Sequence, residues 1–234
     1  MEQPTQALIA AGGFGSRMGL SEGKPSSKAL IKVKGKTLLS RLLYSLSESN
    51  IKHLVVATSG HSEVEVRNEI NKGPTFSSVR YVRSEKGFRH IPSEAKHLLD
   101  NRFLLVCGHH PLPREHFKKM LSQSRTNELV LSSYVHLDLP VVKKERITFM
   151  DGNLFYPLTG GIKTEGPYVR NPFVVSHKVI SLSEEDNFIK SFSQYMFTAC
   201  IESKSYGVVQ SHFPPEVDTV EEFERMRIFL GENE

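Results

Sequence analysis

The opening of the chain carries the residues best suited to bind phosphate. An apolar stretch, Ala7–Ala11, runs directly into closely spaced glycines that begin at Gly12. A buried strand that ends in such glycines can direct several backbone N–H groups at one place, which makes a nest for phosphate oxygens. Arg17 and Lys28 follow and add two positive charges. This pattern predicts a site for a nucleoside triphosphate.

The glycine cluster does not match two common nucleotide-binding loops. A dinucleotide-binding G-x-G-x-x-G loop closes with glycine or alanine and is followed, about 20 residues later, by an acidic residue. Here Met18 closes the six residues from Gly13, and the region of the expected acid is rich in lysine. The G-x-x-x-x-G-K-[ST] loop is absent from the sequence. On spacing alone, an ordinary turn between a strand and a helix remains open, with Arg17 a solvated surface residue.

Apolar runs alternate with segments of helical spacing along the first 134 residues. Strands are predicted at Ala7–Ala11, His53–Thr58, Val79–Arg83, Phe103–Cys107 and Leu129–Tyr134. Helical faces are predicted for Leu38–Leu46, for Val64, Val66 and Ile70, for Ala95, Leu98 and Leu99, and for Phe117, Met120 and Leu121. The alternation indicates an α/β fold, with a mainly parallel sheet between helices on both faces. Such sheets bind ligands beyond the carboxyl ends of their strands, where the glycine cluster falls.

The second half of the chain is patterned differently. Short strands with Gly, Pro and Asn between them are predicted from Val135 to Val175, with a hairpin turn at Met150–Asn153. Helices are predicted at Glu184–Met196 and Asp218–Phe229. Because no linker or repeat interrupts the sequence, we expect residues 1–234 to form a single domain with a substrate-shaping insertion.

Composition excludes several classes of protein. Hydrophobic residues make up 38% and charged residues 24% of the chain, which is typical of a soluble globular protein. No apolar run approaches the roughly 18 residues of a membrane helix, and the N-terminus has no signal-peptide pattern, so a cytoplasmic location is expected. Cys107 and Cys200 are then two reduced structural thiols. The net charge of +4 suits an anionic substrate but is too small to indicate nucleic acid.

The whole opening stretch resembles a known family. Ala10–Met18 reads A-A-G-G-F-G-S-R-M, and Ser27–Leu39 reads S-K-A-L-I-K-V-K-G-K-T-L-L. This is similar to the start of the nucleotidyltransferases with a GT-A-like fold, among them MobA-like molybdenum-cofactor enzymes, sugar-phosphate nucleotidylyltransferases and cytidylyltransferases. Their pattern is A-A-G-x-G-x-R-M, a variable gap, P-K-x-L, and then G-K-P-L-L. Ser27 and Thr37 stand where the family has prolines.

The resemblance implies a fold and an activity. It implies a three-layer, Rossmann-like α/β domain in which residues 1–134 form a nucleotide-binding half and residues 135–234 an acceptor-binding half. It also implies transfer of a nucleoside monophosphate from a nucleoside triphosphate to a phosphorylated small molecule, such as a sugar or polyol phosphate, with release of pyrophosphate. Mg²⁺ or Mn²⁺ is the implied cofactor. Charge neutralisation and positioning carry reactions of this kind.

The family motif assigns roles to residues of the opening stretch. Ala10 and Ala11 would lie beneath the base, and Arg17 would neutralise the leaving β and γ phosphates. Lys28 would hold the α phosphate or the attacking phosphate, so Arg17 and Lys28 are the candidate catalytic residues. A looser match places Gly87 in the loop that contacts the base. The implied backbone cradle comprises Gly12, Gly13, Phe14, Gly15 and Ser16.

The implied metal site departs from the family pattern. Relatives follow an apolar strand with G-D-x-P, whose aspartate binds Mg²⁺, but here His109 follows Gly108. Imidazole is a poor ligand for Mg²⁺. His109 and His110 could alternatively form a transition-metal pair, be exposed polar residues, or contact phosphate through His109. Near the C-terminus, Glu216 and Asp218 match a second metal-binding position, although Asp218 is also a good helix N-cap.

Two functions remain open at this stage. Tyr168 and Arg170 lie where relatives build the acceptor pocket and are the candidate acceptor-binding residues. An active transferase is favoured because the glycine cluster, Arg17, Lys28 and the region of Glu216 and Asp218 are all present. The His109 substitution favours a non-catalytic relative that binds nucleotide or phosphosugar in a regulatory or structural role. No nucleic-acid or membrane partner is expected, because the basic residues lack interleaved stacking aromatics and no segment could span a bilayer.

Overall fold

The chain folds around a seven-stranded, mainly parallel sheet. The computed structural model describes residues 1–13, 26–134, 146–150, 154–158, 168–178, 180–181, 206–211, 217 and 220–231. The strands are β1 (Gln6–Ala10), β2 (Lys32–Val33), β3 (Lys36–Thr37), β4 (His53–Thr58), β5 (Ser78–Arg83), β6 (Arg102–Cys107), β7 (Leu129–Tyr134), β8 (Arg146–Met150), β9 (Leu154–Leu158), β10 (Tyr168–Ser176) and β11 (Tyr206–Ser211). The helices are α1 (Leu38–Ser47), α2 (Glu63–Asn71), α3 (Ile91–Ala95), α4 (Arg114–Gln123) and α5 (Val220–Phe229).

The order of strands in the sheet is β11-β7-β10-β6-β1-β4-β5. Strands β6, β1, β4 and β5 are parallel neighbours, and β11 is parallel to β7. Strand β10 lies between β6 and β7 and is antiparallel to both. The sheet therefore joins strands from both halves of the sequence. Its mixed, mainly parallel arrangement confirms the fold class predicted from the alternating pattern.

Alternate residues of each central strand enter two separate cores. Ile9, Val56 and Val106 pack on one face with leucines of α1 and with residues of α2 and α4. Leu8 and Leu105 pack on the opposite face with residues of α3. Because side chains alternate along a strand, a strand covered on both faces must be apolar throughout. This explains the unbroken apolar runs in the sequence and confirms the three-layer architecture.

The predicted helical faces are buried except at Val64 and at Leu98, which is partly buried in a 3₁₀ turn after α3. The five leucines of α1 have no exposed surface, and Thr37 caps the helix by accepting a hydrogen bond from the Ser40 N–H. Val66 and Ile70 of α2 are buried, but Val64 is 70% exposed, so its assignment to the buried face was wrong. Two positions after Ser62, Val64 falls on the solvent side of a helix whose buried positions are four residues apart.

A smaller core joins the C-terminal helix to the beginning of the chain. Val217 and Met226 pack with Ile31, Val33 and Leu38 in and beside the β2–β3 hairpin. Strands β8 and β9 pair antiparallel from Met150 and Leu154 outwards, as expected of a hairpin. The predicted helix at residues 184–196 lies outside the described residues. Within the described part of the chain, no helix is long and apolar enough to cross a membrane.

Candidate active site

The carboxyl ends of three neighbouring parallel strands meet where the glycine cluster begins. Ala10 is paired in register with Ala57 of β4 and Cys107 of β6. One step further, the Ala11 N–H donates to the Ala57 carbonyl and the Gly108 N–H donates to the Ala10 carbonyl, both at 2.8 Å. Open α/β sheets bind ligands at this edge. Both alanines that the family motif places beneath the base lie on it.

Four consecutive backbone carbonyls at this edge accept hydrogen bonds from the protein. The bonds run from Gly108 N–H to Ala10 at 2.8 Å, from Ser27 Oγ to Ala11 at 2.5 Å, from Ser59 Oγ to Gly12 at 3.0 Å, and from Lys28 N–H to Gly13 at 3.0 Å. Two of the four donors are side-chain hydroxyls. The orientation of successive peptide groups is therefore set by contacts outside the glycine cluster itself.

The orientation of these carbonyls fixes the direction of the amides that follow. In a trans peptide the N–H points opposite to the C=O. The Gly12 N–H therefore points away from Ser27, and the Gly13 N–H points away from Ser59. Neither amide has an acceptor among the residues that the structure describes. Two donors of the predicted cradle are thus available to an anionic ligand.

Close packing explains two glycines of the edge. A Cβ added to Gly12 would lie 2.7 Å from the backbone nitrogen of Ser59. A Cβ added to Gly108 would lie 3.0 Å from the Cβ of Ala29 and 3.3 Å from that of Ala11. Gly13, in contrast, has open space around it. The absence of side chains lets the loop after β1 fit between the ends of β4 and β6.

Lys28 lies in a 3₁₀ turn, Lys28–Leu30, that Ser27 caps. Lys28 is only 7% exposed, so this candidate catalytic residue is buried. Ser27 and Ser26 hold the turn, since Ser27 bonds to the Ala11 carbonyl and Ser26 donates to the Glu65 carboxylate. A proline at position 27, as in relatives, could not make the first of these bonds. The turn brings Lys28 beside the glycine cluster.

Thr37, the second residue that differs from the family pattern, also forms specific hydrogen bonds. Thr37 Oγ1 donates to Glu69 Oε1 at 2.6 Å while it accepts the Ser40 N–H at 2.9 Å. Helix α2 therefore contacts both ends of the segment from Ser26 to Thr37, which contains Lys28, through Glu65 and Glu69. The two substitutions replace the rigidity of proline with hydrogen bonds.

The loop after β4 packs against the glycine cluster. Ser59 is buried there, and its hydroxyl also lies 3.1 Å from His61 Nε2 and 3.0 Å from Ser62 Oγ. Glu85, after β5, accepts the Gly60 N–H and the Arg83 Nε–H, each at 2.9 Å. The Gly60 amide, followed by Arg83, lowers the pKa of the Glu85 carboxyl. This carboxylate therefore stays charged and ties the loops after β4 and β5 together.

The two adjacent histidines lie in different environments. His109 is half-buried directly after Gly108, whereas His110 is fully buried, so the reading of both as exposed polar residues is wrong for His110. Among the described residues, no group of three or more His, Cys, Asp or Glu side chains could hold a metal. The donors on the described side of the edge therefore do not fit Mg²⁺, which prefers carboxylate oxygens.

The start of β10 reaches the same edge from the opposite direction. Tyr168 pairs with Tyr134 at the carboxyl end of β7, and Arg170 pairs with Ser132. The register shifts between Arg170 and Phe173, which marks a bulge in the strand. Because β10 is antiparallel, its first residues and the ends of β6 and β7 share one edge. The backbone of both predicted acceptor residues is thus on the side of the sheet that carries the glycine cluster.

The remaining predicted site residues are placed as follows. Gly87 follows β5 with φ of +88°, a conformation that favours glycine, and precedes the 3₁₀ turn Phe88–His90. Val217 is buried against Ile31 and Val33, and it lies between Glu216 and Asp218 in the sequence. Cys107 is buried and forms no disulfide with another described residue. The candidates outside the described residues are Phe14, Gly15, Ser16, Arg17, Glu216 and Asp218, and Cys200 is outside them too.

Sequence reasoning missed the contribution of Ser59 and Glu85. Both follow predicted strands at the ligand edge, at the ends of β4 and β5. A polar residue within two positions of the end of a parallel strand is the signal that could have identified them. The family motif could not identify these two residues, because it covers only the segments that follow β1 and β6.

A family model described as the MobA-like NTP transferase domain matches residues 7–138, more than half of the chain. The chain belongs to this family. The MobA-like match spans β1 to β7 and so includes the glycine cluster, Lys28 and His109.

Two curated relatives match part of this MobA-like domain. The bifunctional IPC transferase and DIPP synthase of Archaeoglobus fulgidus is 30% identical over 114 residues, 49% of this chain and 22% of that protein. The protein of the same name from Thermococcus kodakarensis is 29% identical over 117 residues, 50% of this chain and 26% of that protein. The match thus spans about a quarter of each relative's length.

Solved structures share the fold over nearly the whole chain. The inositol-1-phosphate CTP transferase from T. maritima superposes with a TM-score of 0.74 at 18% identity and covers 98% of both chains. A putative glucose-1-phosphate thymidylyltransferase from Bacillus anthracis superposes with a TM-score of 0.77 at 15% identity, covering 98% of this chain and 96% of that one. These similarities extend the fold beyond residue 138.

Proposed function

We propose that this MobA-like chain is a nucleotidyltransferase. It transfers a nucleoside monophosphate from a nucleoside triphosphate to a phosphorylated sugar, polyol or similar small molecule and releases pyrophosphate. The observation that carries the proposal is the arrangement at the end of β1. Protein donors hold four consecutive carbonyls, the Gly12 and Gly13 amides have no acceptor within the described residues, and the buried Lys28 lies beside them. Amides and a cation converging on one place stabilise phosphate oxygens.

The reaction asks the protein mainly for positioning and charge neutralisation. We assign the backbone cradle to residues 12–16, with Arg17 on the β and γ phosphates and Lys28 on the α phosphate or the attacking phosphate. Residues 1–134 would bind the nucleotide, with Ala10, Ala11 and Gly87 near the base. Residues 135–234 would bind the acceptor through Tyr168 and Arg170, a placement supported by the position of β10 at the ligand edge.

A divalent metal, Mg²⁺ or Mn²⁺, is part of the proposal. The carboxylates of Glu216 and Asp218 would hold it, with His109 as a further ligand. The burial of Val217 against the segment after Lys28 supports this assignment. When bound, the ion would neutralise part of the charge of the triphosphate.

Pyrophosphate release with each of the four common nucleoside triphosphates tests the proposal. The name of the structural relative from T. maritima, an inositol-1-phosphate CTP transferase, places CTP first among the triphosphates and inositol 1-phosphate first among the acceptors, followed by other polyol and sugar phosphates. Release that requires one triphosphate, one acceptor and a metal supports the transferase and identifies its substrates.

A non-catalytic role is the second candidate, favoured by His109 in place of an acidic metal ligand. It predicts that calorimetry detects triphosphate binding while no member of the panel releases pyrophosphate. That combination would overturn the proposed activity but keep the proposed site.

A further inference from the structure

The Ser59 hydroxyl, in the loop after β4, donates a hydrogen bond to the Gly12 carbonyl. Within the described residues, no other side chain of that loop bonds to this carbonyl. The two residues are 47 positions apart in the sequence. Ser59 is buried, with 4% of its surface exposed, so water does not compete readily for this bond. The hydroxyl therefore has a defined orientation.

In its bond to Gly12, the Ser59 hydroxyl must be the hydrogen-bond donor. A carbonyl can only accept, so Ser59 donates to it and uses its own lone pairs for other donors. His61 Nε2, 3.1 Å away, and Ser62 Oγ, 3.0 Å away, lie within hydrogen-bond distance of Ser59 Oγ, and the Ser62 hydroxyl also donates to the Ser59 carbonyl. The Ser59 side chain is therefore held by neighbours in its own loop as well as by the Gly12 carbonyl.

From this we infer that Ser59 is a positioning residue of the phosphate site, which acts by orienting the peptide between Gly12 and Gly13. With the carbonyl held on the protein side, the Gly13 N–H faces the ligand side. Without the hydroxyl, this glycine peptide can rotate, because glycine populates many backbone conformations. A donor to the triphosphate is then lost in part of the molecules. The inference rests on the proposed function and adds a residue that the family motif does not contain.

Binding of inorganic triphosphate, measured by calorimetry, tests the inference without any dependence on base or acceptor. We expect Ser59→Ala to weaken binding about tenfold, the effect of one hydrogen bond to a charged ligand. In turnover, the KM for the nucleoside triphosphate should rise. Ser49→Ala is the matched control, since Ser49 is equally buried and bonds to the Ser45 and Arg114 carbonyls away from the site.

A second variant separates positioning from packing. Ser59→Cys fills nearly the same space, but a thiol is a weak donor, so it should also weaken triphosphate binding while its melting temperature stays near that of the wild type. Unchanged binding in both Ser59 variants would overturn the inference and leave the proposed function intact. Failure of the wild-type chain to bind triphosphate would instead overturn the proposed function, and the inference with it.

Discussion

Gly12 lies directly against the backbone of Ser59, so close that an added Cβ would be 2.7 Å from the Ser59 nitrogen. This contact joins the end of β1 to the end of β4 and leaves no room for any side chain at position 12. The contact partner is backbone, which cannot rotate out of the way as a flexible side chain could.

Gly12→Ala is therefore expected to destabilise the protein by about 1–3 kcal/mol, the usual cost of overpacking. It should also weaken triphosphate binding, because the loop must shift. Gly13→Ala is the control for stability, since the same methyl group would meet nothing within 4 Å. Thermal unfolding of the two variants measures the difference, and equal melting temperatures would contradict the packing argument.

Lys28 is buried beside the glycine cluster, and its charge is assigned to phosphate. Lys28→Met keeps most of the apolar stem and removes the charge, so transfer should fall by at least about a hundredfold. The effect on stability is measured separately, because Lys28 is buried and makes contacts of its own that the methionine cannot replace. Pyrophosphate release and thermal unfolding measure the two effects.

Lys32→Met is the control for Lys28, because Lys32 is an exposed lysine of the nearby β2–β3 hairpin. Its turnover should match that of the wild type. Full activity in Lys28→Met would remove Lys28 from the proposed site.

His109 follows the strand end at which the family pattern would place a metal-binding aspartate. His109→Asp is expected to increase Mg²⁺-dependent turnover, because Mg²⁺ prefers carboxylate to imidazole. His109→Asn introduces a side chain with the shape of aspartate but without its charge, so it should give no such increase. Turnover is measured as a function of Mg²⁺ and Mn²⁺ concentration. An identical metal dependence in all three proteins would show that position 109 does not face the metal.

His116 of α4 is buried against the Ser132 hydroxyl. Burial, with a smaller effect of Lys119, lowers the pKa of His116 to about 4. Between the ordinary pKa of 6.5 and about pH 4, the unfolded chain binds a proton that the folded chain does not. The free energy of unfolding should therefore decrease as the pH is lowered through this window, by about 1–2 kcal/mol from pH 7 to pH 5.

Urea unfolding at pH 7 and pH 5 measures the contribution of His116. His116→Gln can still bond to Ser132 but cannot titrate, so the difference between the two pH values should shrink by that amount. The other titrating groups are common to both proteins and cancel. An equal loss of stability in wild type and variant would show that His116 does not resist protonation.

Strands and helices of the first half could be predicted because burial on two faces leaves a direct mark on sequence. The predicted strands His53–Thr58 and Leu129–Tyr134 have the observed bounds, and the leucine face of α1 is fully buried. The error at Val64 came from a short helix with few apolar residues, where spacing alone does not decide which side faces the core.

The sequence by itself determined the fold class and the family and predicted the position of the phosphate site, since all three depend on local runs and a contiguous motif. Only the tertiary structure decided how the site is held. Ser59 and Gly12 are 47 residues apart, and Thr37 and Glu69 are 32 apart. The burial of Lys28 likewise depends on strands and loops that surround it in space. Such contacts arise from the order of strands in the sheet, and local periodicity holds no information about that order.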